Sequence, residues 1–143
     1  MLRAGANITG YEIREDFAER AKKNVKAALG EKALDRYDVL IRDAYEGIEE
    51  KDFDRMVLDL PEPWSVVPHA KTALRSGGII LAYTPSIVQA AKFKEALEGN
   101  GFALIETMEV MNRTWHIEGQ AVRPDHRMVA HTAFLTHARL LST

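Results

Sequence analysis

Three acidic side chains stand where predicted strands end, and acids in such places can bind the hydroxyl groups of a nucleoside. Glu12 lies near the end of a predicted first strand, Asp43 just past a second, and Asp59 at the end of a third. In open α/β sheets, ligands bind at the carboxyl ends of the strands. A lone acid after a strand is more often a helix cap or a solvated turn residue. Three acids at one sheet edge favour a binding site.

An acid that accepts hydrogen bonds from both hydroxyls of a ribose fits two cofactors, NAD and S-adenosylmethionine, equally well. Both normally need a Gly-rich turn about 20 residues before that acid, where the backbone closely approaches the cofactor. Only 11 residues precede Glu12, and they include Gly5 and Gly10 but no G-x-G pattern. The sequence therefore predicts a nucleoside site without its usual Gly-rich turn.

The segment Asp59–Trp64, with the sequence D-L-P-E-P-W, is the most specific one in the chain. Its two prolines remove two backbone donors and fix φ at two places. A rigid turn of this kind presents the Asp59 carboxylate and the backbone carbonyls outward, which suits hydrogen bonds from an exocyclic amine. The same residues also fit a strand stopped by proline, with Trp64 packed as an anchor at the start of a helix. These residues alone favour neither interpretation.

Alternating strands and helices are predicted to position these side chains. The apolar run at 55–58 is typical of a strand buried on both faces of a parallel sheet. Gly77-Gly78 is expected to separate a helix from the next strand, and Ser86 with Gln89 has the spacing of a capping box. The predicted strands are 8–13, 37–41, 55–58 and 79–83, and the predicted helices are 15–29, 64–75 and 87–98.

The C-terminal part departs from this alternation. Residues 102–111 and 129–139 are two strand candidates with no helix predicted between them. An antiparallel pair that closes a mostly parallel sheet is the simplest interpretation. We therefore predict an α/β fold in one domain over residues 1–143, with helices on both faces of the sheet.

Composition excludes several classes of function. The chain has 143 residues, a formal net charge of −2 and no Cys, which rules out disulfides, thiolate metal sites and a Cys nucleophile. No apolar run approaches the ~18 residues of a membrane span, and the first residues lack the apolar core of a signal peptide. The His residues have no metal-ligand spacing, so we expect no metal site. The composition fits a cytosolic protein.

Charge is distributed unevenly. Residues 43–63 carry eight acids against two bases, whereas residues 113–143 carry four Arg and four of the five His against two acids. The net charge argues against a general polyanion binder. A local basic face near the C-terminus stays open, although a solvated surface is the simpler interpretation.

Several stretches together resemble one enzyme family. The chain is similar to the catalytic domain of the tRNA (adenine-N1)-methyltransferases, which methylate N1 of an adenosine in the tRNA T-loop. The resemblance covers residues from about 7 to 140, and its D-L-x-x-P-W and R-P…M-x-x-H-T-x-F-L elements are specific. The matching stretches are Gly10–Ala18, Asp43–Gly47, Asp59–Trp64, Ala82–Pro85, Arg113–Trp115 and Arg123–Leu135.

The resemblance implies a class I, Rossmann-like methyltransferase fold that uses S-adenosylmethionine and acts on tRNA. It implies that Glu12 binds the ribose hydroxyls and Asp43 the adenine amine of the cofactor, with Ile13, Ala44, Asp59 and Leu60 as neighbouring contacts. It makes Asp59 the catalytic residue that accepts a hydrogen bond from N6 of the target adenine, and Tyr83 a clamp for the flipped base. The implied contacts to tRNA are Trp64, Trp115, Arg123 and His131.

The chain also departs from the family pattern. Family members carry an N-terminal β-rich domain and a first Rossmann strand with the Gly-rich loop, and this sequence is expected to lack both. That strand lies between those matching 8–13 and 54–59, so its absence would leave unpaired edges. We expect a fragment, a partner chain that fills the gap, or a sheet that closes with a damaged cofactor site. Family members are usually homotetramers, so a partner of the same kind is expected.

Two alternatives belong to other classes of function. The chain can be a non-catalytic assembly module that pairs with a complete methyltransferase subunit, which the missing Gly-rich loop would explain. A dehydrogenase that uses NAD is motivated only by Glu12 and lacks the Gly fingerprint.

Overall fold

A computed structural model describes residues 1–141 of the chain. It divides the chain into two compact units, Met1–Gly47 and the part from Ile48 onward. Each unit has a sheet of its own. No Gly- or Pro-rich linker marks this boundary in the sequence.

The first unit is a β-α-β element. Strand β1 (Ile8–Glu12), helix α1 (Glu15–Leu29) and strand β2 (Tyr37–Ile41) follow one another, and the two strands pair in parallel. A crossover helix is the usual way to join parallel neighbours. The buried apolar side chains of this unit are small in number: Leu2, Ala18, Ala33 and Val39. The predicted elements at 8–13, 15–29 and 37–41 are confirmed to within one residue.

The second unit contains a four-stranded sheet. In chain order its elements are β3 (Phe53–Leu58), α2 (Val67–Ala73), β4 (Leu74–Thr84), α3 (Ile87–Gly99), β5 (Phe102–Glu109), β6 (Trp115–Glu118), β7 (Ala121–Pro124) and β8 (Phe134–Leu140). The order in the sheet is β3-β4-β8-β5. β3 and β4 are parallel, and β8 is antiparallel to both β4 and β5.

The predicted α/β class and the antiparallel pair at the C-terminus are therefore confirmed. The strands β6 and β7 were not predicted; they form a separate antiparallel hairpin. Their sequence is short and carries exposed side chains, so no alternation of buried and exposed positions marked them.

The core of the second unit lies between the sheet and its helices. Its largest fully buried side chains include Phe93, Leu97 and Ile80. Thr84 and Thr136 are buried with them and are hydrogen-bonded, as buried polar groups must be. The Thr84 hydroxyl donates to the backbone carbonyl of Phe134 at 3.5 Å. The hydroxyls of Thr107 and Thr136 lie 2.9 Å apart on neighbouring strands. The core thus joins β5 and β8 by polar as well as apolar contacts.

The helix predicted at 64–75 is shorter than expected. A 3₁₀ turn over Pro63–Val66 leads into α2, and β4 already begins at Leu74. Gly77-Gly78 lies inside β4 and does not separate two elements, which corrects the prediction. The reason is close packing: a Cβ on Gly78 would stand 2.8 Å from the backbone oxygen of Arg75.

The apolar run of β3 is also not buried on both faces as predicted. Val57 is 55% exposed, and β3 is the edge strand of its sheet. A strand at a sheet edge has a neighbour on one side only, so an apolar sequence does not guarantee burial there. No helix within residues 1–141 is long and apolar enough to cross a membrane.

Candidate functional site

The first part of the predicted site is the carboxyl end of the β1–β2 pair. Glu12 is in register with Ile41, and the N–H of Arg42 donates to the backbone carbonyl of Glu12 at 3.1 Å. Asp43 follows directly. Both acids are half-buried. Parallel pairing therefore brings Glu12 and Asp43 to one edge, as the sequence predicted.

Each of these acids uses one oxygen to hold its own turn. Glu12 Oε1 accepts a hydrogen bond from the N–H of Arg14 at 2.9 Å, and Asp43 Oδ1 accepts one from the N–H of Tyr45 at 2.8 Å. Within the described part of the chain, no hydrogen bond reaches the second oxygen of either acid. The same carboxylate can thus hold its turn with one oxygen and accept a hydrogen bond from a hydroxyl or amine group of a ligand with the other.

The residues beside the two acids fix the start of α1. Ile13 is 65% exposed, and Ala44 is half-buried. The Arg14 guanidinium pairs with Asp16 at 2.7 Å and lies 3.8 Å from the centre of the Phe17 ring. Its hydrogen bonds hold the pKa of the Asp16 carboxyl below its usual range. The chain is therefore ordered directly after Glu12.

The second part of the predicted site is the carboxyl end of the β3–β4 pair. Leu58 and Ala82 are the last parallel partners, so Asp59 and Tyr83 are the next residues of adjacent strands. Asp59 is exposed, and among the described residues its carboxylate makes no hydrogen bond or ion pair. Tyr83 is 43% exposed, and Leu60 is half-buried. An acceptor and an aromatic ring thus lie side by side at this edge.

Helix α3 holds the proline turn that follows Asp59. Gln89 Nε2 donates to the carbonyl of Pro61 at 3.1 Å, and Lys92 Nζ lies 4.0 Å from the centre of the Trp64 ring. The second contact is a cation–π interaction. Ser86 caps α3 through the N–H of Val88. The capping box is therefore only half formed, because Gln89 contacts the turn and not the helix start.

His131 holds the turn that follows β4. Its Nε2 lies 2.8 Å from the carbonyl oxygen of Pro85, two residues beyond Tyr83. Its Nδ1 contacts the Glu109 carboxylate at the end of β5. The ring centre is 4.8 Å from that of Phe134. The Glu109 contact, with a smaller effect from Pro85, raises the pKa of His131 above its usual value.

The other two predicted contacts to tRNA lie on the β6–β7 hairpin. Trp115 is paired with Pro124, and Arg123 with His116. Trp115 is 55% exposed, and the Arg113 guanidinium is 5.8 Å from its ring centre. Within residues 1–141, β6 and β7 pair only with each other. The hairpin presents an aromatic ring and cations to solvent.

The second unit thus gathers Asp59 and Tyr83, with His131 attached to the same edge through Pro85. The first unit gathers Glu12 and Asp43. Sequence reasoning missed the residues that hold the turns: Gln89, Lys92 and Glu109. Glu109 ends its strand in the structure, but the predicted strand runs to residue 111, so the sequence does not mark it as a strand-end acid. The described residues contain no group of three or more His, Asp or Glu side chains that could hold a metal ion.

Comparison with known proteins identifies the family. The family described as "tRNA methyltransferase complex GCD14 subunit" matches residues 7–122. This chain belongs to that family. The match includes both strand-end pairs and the hairpin as far as Val122. Membership in a methyltransferase family leaves the dehydrogenase alternative without support.

Relatives agree with the family assignment. The chain is 38% identical to the tRNA (adenine(57)-N(1)/adenine(58)-N(1))-methyltransferase TrmI of Methanocaldococcus jannaschii, over 96% of this chain and 57% of that protein. A solved structure titled SAM-dependent O-methyltransferase from Thermotoga maritima matches with a TM-score of 0.85 at 32% identity, covering 96% of this chain and 51% of that one. The tRNA (m1A58) methyltransferase TrmI from Aquifex aeolicus matches with a TM-score of 0.78 at 27% identity, covering 96% and 54%. The fold is that of class I methyltransferases, and the chain spans about half the length of these relatives.

Proposed function

We propose that this chain takes part in the methylation of N1 of adenine in the tRNA T-loop, with S-adenosylmethionine as the methyl donor. The family, and the activities in the names of its TrmI relatives, support the reaction and the substrate. Position 58 is the position named for those relatives, and we propose it for this chain.

The observation that carries the proposal is the pair of side chains after β3 and β4. Asp59 has a carboxylate without a partner among the described residues, and Tyr83 is the next residue of the neighbouring strand. An adenine held against the Tyr83 ring can donate its N6 amine to that carboxylate. The target base must leave its stack to react, so an aromatic surface beside the acceptor is the expected arrangement.

The residues of the first unit fit the nucleoside part of the cofactor. Glu12 and Asp43 are half-buried acids at one strand edge, and each has an oxygen without a partner among the described residues. In our proposal Glu12 accepts from the ribose hydroxyls and Asp43 from the adenine amine. Ile13 and Ala44 contribute apolar contacts. These 143 residues contain no Gly-rich turn to approach the rest of the cofactor.

The chemistry asks little of the protein beyond position and charge. When bound, S-adenosylmethionine supplies a sulfonium methyl group that the lone pair of adenine N1 attacks in line. Asp59 accepts the N6 hydrogen bond and stabilises the positive charge that develops on the ring. Tyr83 orients the base. No strong general base is needed, because N1 carries no proton that must be removed.

We also propose tRNA contacts at Trp64, Trp115, Arg123 and the segment around His131. Stacking on aromatic rings and pairing of Arg with phosphates are the usual ways to hold RNA. An assembly of several chains, of the homotetramer kind, and a cytoplasmic location complete the proposal. The word "complex" in the family description supports an assembly. Sedimentation of this chain, alone and with a complete relative, tests it.

Two measurements test the proposed reaction. Calorimetric titration with S-adenosylmethionine and S-adenosylhomocysteine should give micromolar binding if the acids of β1 and β2 suffice. Incubation with the cofactor and an unmodified tRNA transcript, followed by digestion and mass spectrometry, should then give N1-methyladenosine. A transcript with guanosine at position 58 is the control. Folded protein that yields no product would overturn the proposal and favour the non-catalytic assembly module. No present observation supports that module better than the methyltransferase.

A further inference from the structure

We propose that His131 is a positioning residue, which ties the turn after β4 to the end of β5 and so holds Tyr83 in place. This inference rests on the proposed function for its consequence, but not for its geometry. One ring nitrogen faces the Pro85 carbonyl at 2.8 Å, and the other contacts the Glu109 carboxylate. These two partners are 24 residues apart in sequence and belong to different strand ends.

The partners of His131 determine which protonation state the bridge needs. Neutral imidazole has one donor and one acceptor nitrogen, whereas the imidazolium has two donors. A carbonyl and a carboxylate both accept, so only the imidazolium satisfies both contacts. The raised pKa of His131 agrees with this geometry. The bridge is complete when His131 is protonated and loses one of its hydrogen bonds when it is not.

Glu109 is the charged group that determines the protonation state of the His131 ring. Among the described residues that meet the ring, Glu109 of β5 is the titratable one. β8 contributes the uncharged ring of Phe134, and the turn after β4 contributes an uncharged carbonyl. The end of β4 is held further by Thr84, whose hydroxyl lies 3.5 Å from the carbonyl of Phe134.

The sign of the pH dependence follows. Because the folded pKa of His131 is raised, the bridge contributes fully below the unfolded pKa and is lost as pH rises through the folded pKa. The Pro85 turn should therefore loosen on the alkaline side. A direct contact to an RNA phosphate would need a ring nitrogen that is free to donate, whereas both ring nitrogens of His131 already contact groups within the chain.

The first test needs neither cofactor nor tRNA. NMR follows the titration of the His131 ring, while amide exchange reports the protection factor of Val88, whose N–H donates to Ser86 Oγ in the same turn. We expect both to change with one midpoint. In Glu109→Gln both midpoints should fall together, because the charge that favours the imidazolium is gone. Independent midpoints, or an unchanged His131 titration, would overturn the proposal.

A matched control is the His137–Glu106 pair, which joins β8 to β5. His137 Nε2 lies 3.5 Å from Glu106, and neither residue contacts the Pro85 turn among the contacts of the described chain. His137→Gln should leave the Val88 midpoint where it is in the parent. A shift equal to that of Glu109→Gln would mean that any loss of a His–Glu pair loosens the turn, and the specific role of His131 would be wrong.

The second test separates positioning from substrate contact. In the methylation assay, His131→Gln should lower kcat about tenfold or more with the KM for tRNA unchanged, because a displaced Tyr83 misaligns the base after it is bound. The loss in Glu109→Gln relative to the parent should be largest between the lowered midpoint of the variant and that of the parent, because above both midpoints the bridge is lost in both proteins. A raised KM with unchanged kcat would make His131 a tRNA contact instead. If the parent has no activity, the exchange experiment still decides the geometry.

Discussion

At the scale of single residues, the acids at the strand ends are held in two different ways. Glu12 and Asp43 each spend one oxygen on a backbone N–H of their own turn, which fixes the carboxylate before any ligand arrives. Asp59 has no such contact among the described residues, and the turn behind it is held by Gln89 instead. A preorganised backbone with a free carboxylate suits a group that must meet a developing charge.

Asp59→Asn is expected to reduce methylation by about 10²–10³-fold, the usual cost of removing one electrostatic contact to the transition state. The fold should be unaffected, because the side chain is exposed and makes no contact in the described chain. Asp52→Asn is the matched control, since Asp52 is an exposed acid before β3 whose positive φ of 62° asparagine tolerates. Mass spectrometry of digested tRNA measures both. Equal activity in the two variants would remove Asp59 from the mechanism.

Glu12→Ala is expected to weaken binding of S-adenosylhomocysteine by about 1–3 kcal/mol, the scale for losing a charged acceptor. Calorimetry measures this directly. Glu19→Ala provides the comparison, because Glu19 is an exposed acid of α1 that pairs only loosely with Lys23 at 3.9 Å. Ribose binding by Glu12 is the wrong assignment if both variants bind as tightly as the parent.

The sequence predicted these acids because strand ends can be recognised from local patterns. Glu12 and Asp59 lie at the ends of predicted strands and Asp43 just past one, and parallel pairing then brings neighbouring ends together. The side chains that hold the turns could not be predicted in the same way. Gln89 contacts Pro61 across 28 residues, and His131 contacts Pro85 across 46. Such contacts depend on tertiary packing, which no local period reports.

At the scale of elements, β4 is a strand whose extent could not be predicted from the sequence pattern. The strand runs from Leu74 to Thr84 through Gly77-Gly78, a pair that usually marks a turn. Gly77 has a φ of +74°, and the register with β3 shifts by several residues between Phe53 and Arg55. The two glycines therefore permit a bulge within the strand. The same residue types serve a turn or a bulge, and only the neighbouring strand decides between them.

Gly78→Ala is expected to destabilise the second unit by about 1–3 kcal/mol, the typical cost of overpacking. The new Cβ would lie 2.8 Å from the Arg75 oxygen and 3.1 Å from Leu74 Cδ2. Gly99→Ala, at the end of α3, would meet nothing within 4 Å and should be neutral or stabilising by up to about 1 kcal/mol. Urea denaturation followed by circular dichroism gives both values. A similar midpoint in the two variants would contradict the packing argument.

At the scale of the whole chain, contacts group the residues into two compact units, whereas length and composition predict one domain over residues 1–143. Both units contain the predicted element order, β-α-β in the first and βαβα at the start of the second. The boundary has no Gly- or Pro-rich sequence, and residues 47–52 form no helix or strand. A compact unit is defined by the density of contacts among its residues, and amino-acid composition does not report that density.

Trypsin is expected to cut first at Lys51, which is exposed within that irregular segment. Cleavage needs a chain that opens locally, and helical lysines such as Lys22 and Lys26 open less readily. Mass spectrometry at early times should give fragments 1–51 and 52–143. Lys51→Gln should delay the first cut without changing the later ones. Early cuts within α1 instead would show that the first unit opens before the junction does.

The position of β8 has a consequence for the order of folding. Residues 134–140 lie between β4 and β5 and pair with both, although both partners precede them in the chain. During synthesis, the edges of β4 and β5 that will pair with β8 therefore stay unpaired until β8 is inserted between them. Sheets closed by distant sequence fold slowly and expose edges meanwhile. Until β8 has been synthesised and inserted, the second unit exposes strand edges through which it can associate with other chains.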